Sequence, residues 1–143
     1  MSLNQDLYNN ISVKTAIMPQ AVSATTDLVG EIIDTHGYDS CTFALITDAI
    51  AGSTTAAVLL VEDGASSTLS DAAAVTAANL IGTTASTAIT SATSAGSRRI
   101  GYSGAKRYVR LTFDITANNG TDSFGAVCIL GHPKQGPVAA NAD

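Results

Sequence analysis

The sequence predicts an all-β protein: a single antiparallel β-sandwich, jelly-roll-like, with about eight strands and at most one short helix. Short apolar stretches recur along the chain with turn residues between them. Several of these stretches alternate apolar and polar side chains with the period of two that is typical of a half-buried strand. Only residues 71–81 have a helix-like composition, and their alanine content fits a short helix and an irregular crossover equally well.

The N-terminal half predicts an arm followed by four strands. Residues 1–10 are mostly polar and form the arm, and residues 11–133 form the sandwich domain. The first strand is expected to end at Pro19, because proline cannot donate a ladder hydrogen bond. Further strands are expected at residues 27–34, 40–47 and 56–62, and Gly30 is expected to mark a bulge.

The C-terminal half predicts four more strands, and its best-specified part is residues 100–133. Strands are expected at residues 86–91 and 98–102. Residues 106–115 then alternate, the turn residues Asn118-Asn119-Gly120 follow, and an almost wholly apolar strand returns at residues 123–130. We therefore predict that the last two strands form an antiparallel hairpin.

The two strands of this predicted hairpin differ in character. The first has a polar side, whereas the second is apolar on both sides. The second strand is therefore expected to lie centrally in a sheet or under a subunit contact. Residues 134–143 are rich in small residues and form a predicted C-terminal tail.

Composition and charge restrict the classes of partner. The chain has 143 residues, which suits one domain, and only 13% of them are charged, about half the usual share. A net charge of −5 argues against a nucleic-acid partner, which requires a basic surface. No apolar run has the length of a membrane span, and the N-terminus lacks the pattern of a signal peptide, so no membrane partner is predicted.

Three strands are apolar on both sides, which favours an assembly. They are the segments CTFALI, AAVLLV and FGAVCIL. A sandwich of two sheets buries only one side of each sheet. The second side must then be covered by the chain's own loops, by a sister subunit or by a larger partner.

No constellation of residues predicts catalysis, a metal site or a cofactor. His36 and His132 each stand alone beside a glycine in a predicted turn. Cys41 and Cys128 form no CxxC pair and are predicted to be buried free thiols, with their mutual distance left open. The chain has no tryptophan and 5% aromatic residues, which disfavours a site that stacks sugars. We expect no enzyme activity and no cofactor.

Candidate contact residues for an assembly come from the arm and from the predicted hairpin. Leu7 and Tyr8 are large apolar residues of the arm, and Arg107 belongs to a local basic cluster. Tyr108 and Arg110 lie on the polar side of their strand, where they are available to water or to a partner. These five residues are the predicted assembly contacts.

The residues 100–138 carry a resemblance to a known family. They include the strand pattern I-G-Y-x-G-x-K-R-Y-V-R, a turn that contains glycine, and the closing pattern A-V-x-x-L-G-H-P-x-x-x-P-V. This segment resembles the end of a group of small structural proteins of tailed bacteriophages and prophages. The segments LNQDLYNNI, YDSCTFALITDAI and VEDG are also similar to that group, so the resemblance covers about two thirds of the chain.

The resemblance implies a capsid cement protein, also called a decoration protein, with a jelly-roll fold. Such a protein is synthesised in the bacterial cytoplasm and lies on the capsid surface of the virion. Its expected partners are the major capsid protein and further copies of itself, as a homodimer or homotrimer. The alternatives are a tail or host-recognition module that binds cell-surface glycan, and a head-completion or tail-tube subunit.

Overall fold

The computed structural model describes residues 6–53, 55–91 and 95–139 and contains two antiparallel sheets that pack as a sandwich. The strands are β1 (Ile11–Val22), β2 (Leu28–Asp34), β3 (Tyr38–Thr47), β4 (Ala56–Gly64), β5 (Ala73–Ala74), β6 (Leu80–Ile81), β7 (Ile89–Thr90), β8 (Gly96–Tyr102), β9 (Tyr108–Ala117) and β10 (Asp122–Pro133). Short 3₁₀ turns cover Tyr8–Asn10, Ala77–Asn79 and Thr84–Thr87. The predicted all-β sandwich is confirmed.

The strand order is that of a jelly roll. Sheet A has the order β1-β10-β3-β8-β6, and sheet B has the order β2-β9-β4-β5, with β7 paired to the other end of β4. Apart from β4, which is followed by its short partner β5, each long strand that has a successor is followed along the chain by a strand of the opposite sheet, and every pairing is antiparallel. This alternation, with the first and last strands adjacent, is the double Greek key.

The predicted hairpin is wrong, because β9 and β10 lie in different sheets. β9 pairs with β2 and β4, whereas β10 pairs with β1 and β3. The turn residues therefore carry the chain across the sandwich instead of back along the same sheet. The two strands meet through their apolar sides, and the rings of Phe113 and Phe124 pack across the core with centroids 4.6 Å apart. The predicted central position of the last strand is confirmed, since β10 lies between β1 and β3.

The core lies between the two sheets and is built from inward side chains of both. Its largest fully buried members include Phe43, Phe113, Phe124, Leu59 and Leu111. Burial of each such side chain stabilises the fold by about 1.5–3 kcal/mol. Cys41 and Cys128 are also buried here as free thiols, as predicted.

The first strand runs further than predicted. β1 continues through Pro19 to Val22 because the proline lies in an irregular part of the ladder, where no donor is required. The bulge predicted at Gly30 is confirmed by a register shift between Val29 and Ile32.

Residues 71–81 form the irregular crossover, one of the two predicted alternatives. They contain β5, the turn Ala77–Asn79 and β6. The carboxylate of Asp71 accepts hydrogen bonds from the amides of Ala65 (2.8 Å) and Ser66 (3.1 Å), which hold its pKa below the ordinary value. The strand predicted at residues 86–91 is reduced to β7, because the turn Thr84–Thr87 precedes it.

Candidate assembly surface

The outer surface of sheet A carries exposed apolar side chains on β1, β3, β6 and β10, and we call it the apolar face. Paired residues of an antiparallel ladder point to the same side of the sheet, so the register identifies the outward side chains. Val127 of β10 lies between Thr15 and Ala44, and Gly125 lies opposite Ile46. The side chains that define the apolar face are Val13, Thr15, Met18, Thr42, Ala44, Ile46, Ile81, Ser97, Arg99, Val127 and Ile129.

Large apolar side chains on this face are open to solvent. Ile46 is 68% exposed and Ile81 is 64% exposed, and Val13, Met18 and Val127 are exposed as well. Such a group of neighbouring apolar side chains is typical of a surface that is buried in an assembly. One charged residue, Arg99, belongs to the set, and it lies on β8 beside Ala44 of β3.

A groove crosses one end of the apolar face. β1 shifts register twice between Thr15 and Gln20, which bends the strand. Pro19 then lies over β10, where the absence of a side chain at Gly125 leaves room for it; a Cβ at that position would lie 3.2 Å from the proline Cγ. The groove between this ridge and Ile46 has a volume of about 910 Å³.

The apolar face has a smaller area than one partner buries in a standard stable protein–protein interface. Five strands spaced ~4.8 Å apart, with a rise of ~3.3 Å per residue, give a face of roughly 20 Å by 20 Å. That corresponds to roughly 400 Å², about half of the 800 Å² that each partner buries in a standard stable interface. The apolar face alone therefore suits a weak single contact.

The outer surface of sheet B has a different character, because charged and hydroxyl groups satisfy one another there. Glu62 of β4 accepts hydrogen bonds through one carboxylate oxygen from Arg110 Nε (3.0 Å), Arg110 Nη2 (2.9 Å) and Thr112 Oγ1 (2.8 Å). The side chains of Arg110 and Glu62 are only 22% and 18% exposed. This partly buried ion pair occupies the middle of the sheet.

A second ion pair lies at the end of the same sheet. Arg107 donates to both oxygens of Asp34, from Nε at 2.8 Å and from Nη2 at 2.7 Å. The hydrogen bond from this guanidinium is the main cause that holds the pKa of Asp34 below its ordinary value. The guanidinium also lies 5.1 Å from the ring centroid of Tyr108.

The structure separates the five predicted contact residues into two groups. Leu7 and Tyr8 are exposed at the start of the turn Tyr8–Asn10 that precedes β1, and this segment is held by a hydrogen bond from the Val138 amide to the Asn9 carbonyl (2.9 Å). The other three predicted contacts, Arg107, Tyr108 and Arg110, lie on or beside the outer surface of sheet B. The first five residues of the predicted arm and the last four of the predicted tail lie outside the described residues.

None of the five predicted contacts belongs to the apolar face. The signal that identifies this face was present in the strands CTFALI and FGAVCIL, which become the adjacent strands β3 and β10. Their pairing places Val127 and Ile129 beside Ala44 and Thr42 on the outer side. Periodicity does not specify which strands are neighbours, so the apolar side chains could not be combined into one surface.

Within residues 6–53, 55–91 and 95–139, no group of three or more His, Cys, Asp or Glu side chains is arranged to hold a metal ion. No helix in the described part of the chain has the length and apolar character that a membrane crossing needs. No protein-family model and no curated protein sequence matches this chain.

Proposed function

We propose that this chain is a capsid cement protein of a tailed bacteriophage, a structural protein without enzyme activity that binds the outer surface of the major capsid protein shell and stabilises it. The observation that carries the proposal is the exposed apolar face of sheet A. The resemblance of residues 100–138 to phage and prophage structural proteins supplies the type of assembly. The jelly-roll sandwich is the fold that this resemblance implies.

The proposed contact lies between the apolar face and the shell. Removal of Ile46, Ile81 and Met18 from water provides the favourable free energy, at about 25 cal/mol per Å² of apolar surface. Little of this gain is offset by desolvation of charge, because Arg99 is the one charged residue that defines the face.

The small area of the apolar face agrees with a repetitive partner. A surface of roughly 400 Å² is too small for a tight isolated complex, since part of the gain is lost to the entropy of association. A shell presents many copies of the same site, and contacts between neighbouring cement subunits would add to each single contact. The exposed Leu7 and Tyr8 are available for such additional contacts.

The direct test uses purified particles. We expect mass spectrometry to find this chain in stoichiometric amounts in virions, and cryo-electron microscopy to place it on the outer capsid surface with sheet A towards the shell. Particles that lack the protein should lose their DNA at a lower temperature than complete particles.

Three results would contradict the proposal. These are absence of the protein from particles, equal heat resistance with and without it, and a location at the tail tip. Location at the tail tip together with binding on a glycan array would favour the host-recognition alternative. A ring-shaped oligomer of the isolated chain would favour a head-completion or tail-tube subunit.

A further inference from the structure

The two cysteines of the chain lie next to each other in the core of sheet A. Cys41 is on β3 and Cys128 is on β10, and these strands are direct neighbours. Cys128 is opposite Phe43, and Cys41 is opposite Leu130, so the two cysteines are offset diagonally by two positions and point to the same inner side. Their Sγ atoms are 3.4 Å apart, and the side chains are 4% and 0% exposed.

We propose that Cys41 and Cys128 form a site for a reversible intramolecular disulfide, which closes when the folded protein meets a peroxide. The inference concerns the isolated chain and does not depend on the proposed function. The disulfide would join β3 and β10 on the core side of sheet A. The same two strands carry Ile46 and Val127 on the outer side, so the disulfide would lie directly beneath the apolar face.

The geometry requires only a small movement. A disulfide has an S–S bond of about 2.0 Å, so the two sulfur atoms must approach by a little more than one ångström from 3.4 Å. Rotation of both side chains and a slight local shift of the strands bring them together. The nine paired positions that hold β3 to β10 keep the strands in this register before and after the reaction.

The chemistry is a two-electron oxidation with hydrogen peroxide as oxidant. The thiolate of Cys41 attacks one peroxide oxygen, the O–O bond breaks, and hydroxide leaves and takes up the thiol proton as water. Cys41 is then a sulfenic acid. Sγ of Cys128 attacks the Cys41 sulfur, the S–O bond breaks, and the oxygen leaves as a second water with the proton of Cys128. Two thiols and one peroxide thus give one disulfide and two waters.

Burial makes this reaction slow in the folded state. The hydrogen bond to Cys41 and burial both raise the pKa of the Cys128 thiol, so its thiolate is scarce. A peroxide molecule therefore reaches the pair only during local opening of the sandwich. In a reducing cytoplasm the thiols stay free, whereas an oxidising medium outside the cell lets the disulfide accumulate.

The test is oxidation of the unmodified folded chain at neutral pH with millimolar hydrogen peroxide. After removal of the peroxide, the protein is denatured, alkylated and weighed by mass spectrometry. We expect a monomer that has lost two hydrogen atoms and takes up no alkylating reagent, in which peptide mapping joins Cys41 to Cys128. The bridged form should melt about 5–10 °C higher than the reduced form, and a phosphine reductant should reverse both changes.

The matched control is Cys128→Ser, in which a sulfenic acid at Cys41 has no thiol to react with. This variant should never lose two hydrogen atoms in the monomer and should gain oxygen instead. The proposal is overturned if the folded unmodified chain keeps both thiols or gains oxygen at single cysteines. It is equally overturned if the linkage forms only in denaturant or only between chains. These outcomes use the unmodified chain, so they do not depend on the folding of the variant.

Discussion

The two sheets of the sandwich share one core, but their outer surfaces differ in chemical character. On sheet B, Glu62, Arg110 and Thr112 form a hydrogen-bonded cluster in the middle of the sheet. On sheet A, the corresponding central positions hold Val127 and Ala44, with Ile46 exposed beside them. Both surfaces belong to the same jelly roll, so the fold does not require the difference.

The difference indicates which surface is adapted to water. The central polar groups of sheet B satisfy one another, and its exposed apolar side chains Val29 and Ile32 lie on the edge strand β2. On sheet A, exposed apolar side chains lie on several strands, including the interior strands β3 and β10. A fold of this size gains nothing in stability from such exposed area. We infer that sheet A faces a partner in the functional state and that sheet B faces solvent.

The largest expected effect tests this inference directly with two matched substitutions. Ile46 on sheet A is 68% exposed and Val29 on sheet B is 61% exposed. Ile46→Asp should weaken binding to cement-free capsids by about 100-fold or more, because a buried unpaired carboxylate costs several kcal/mol. Val29→Asp should leave binding unchanged. Co-sedimentation with capsids measures both.

Thermal melting of the two isolated variants supplies the control. Because both side chains are exposed in the free chain, each substitution should change the free energy of unfolding by only about 0.5 kcal/mol. Equal loss of binding in the two variants would contradict the assignment of sheet A alone to the partner, and loss only in Val29→Asp would reverse the assignment of the faces.

The next effect concerns a close approach of backbone atoms at Gly30, where β2 of sheet B lies next to β1 of sheet A. A Cβ at Gly30 of β2 would overlap the carbonyl oxygens of Ala16 and Leu111, which belong to β1 and β9. Backbone atoms cannot move aside cheaply, so Gly30→Ala should lower the free energy of unfolding by about 3 kcal/mol. Urea denaturation measures this loss.

The matched control for this position is Gly96 of β8, where a Cβ would meet nothing within 4 Å. Gly96→Ala should be nearly neutral. If Gly30→Ala is also neutral, the close approach of the three strands is not required for the fold.

A smaller effect comes from the ion pair in the middle of sheet B. Arg110→Ala removes two of the three donors to Glu62 and leaves a partly buried carboxylate with Thr112 as its remaining partner. We expect a loss of about 1–2 kcal/mol in the free energy of unfolding. Binding to capsids should not change, because sheet B is assigned to solvent; a loss of binding would identify sheet B as a second contact.

The smallest effect is a pH dependence at the exposed end of sheet B. The pKa of Asp34 is lowered in the folded state, mainly by its hydrogen bond from Arg107. The ionised carboxylate therefore stabilises the fold fully above about pH 5, and this contribution is lost as the pH falls below about 4 through the lowered pKa.

Comparison of the unmodified chain with Asp34→Asn checks the direction of this pH dependence. Solvent screening limits the difference in the free energy of unfolding to about 1 kcal/mol or less at neutral pH, and the difference should shrink as the pH falls through the lowered pKa of Asp34. A difference that grows as the pH falls would contradict the assignment. Urea denaturation as a function of pH measures it.

Sequence patterns predict where the strands of this fold lie along the chain better than they predict which strands pair with each other. Alternation correctly identified β3 and β9, because each has one side in the core, and an unbroken apolar run correctly identified β4. The same pattern led to a false hairpin, since a strand that crosses to the other sheet needs the same apolar side and the same turn residues as one that folds back. Pairing depends on contacts far apart in the chain, which local periodicity does not contain.

The candidate surface shows the same limit. Strands that are apolar on both sides predicted an apolar outer face that loops or a partner cover. An exposed apolar face is present on sheet A, and its covering stays a prediction. Its members could not be named, because Val127 and Ala44 become neighbours only through the pairing of β10 with β3. The predicted contacts Tyr108 and Arg110 were chosen from local alternation alone, and Arg110 is engaged with Glu62. Binding to a partner at any of these residues stays a prediction.

The position of β10 between β1 and β3 also determines when the chain can fold. Among the described strands of seven residues or more, no two that follow each other in sequence are paired, so every long ladder joins distant segments. A nascent chain that has not yet released β10 leaves β1 and β3 without the strand that connects them. Completion of the sandwich should therefore wait until β10 has been synthesised and then proceed in milliseconds to seconds, as in other proteins dominated by long-range strand pairing. A chain that ends before Asp122 should not form the complete sheet A, because β1 would have no partner strand there.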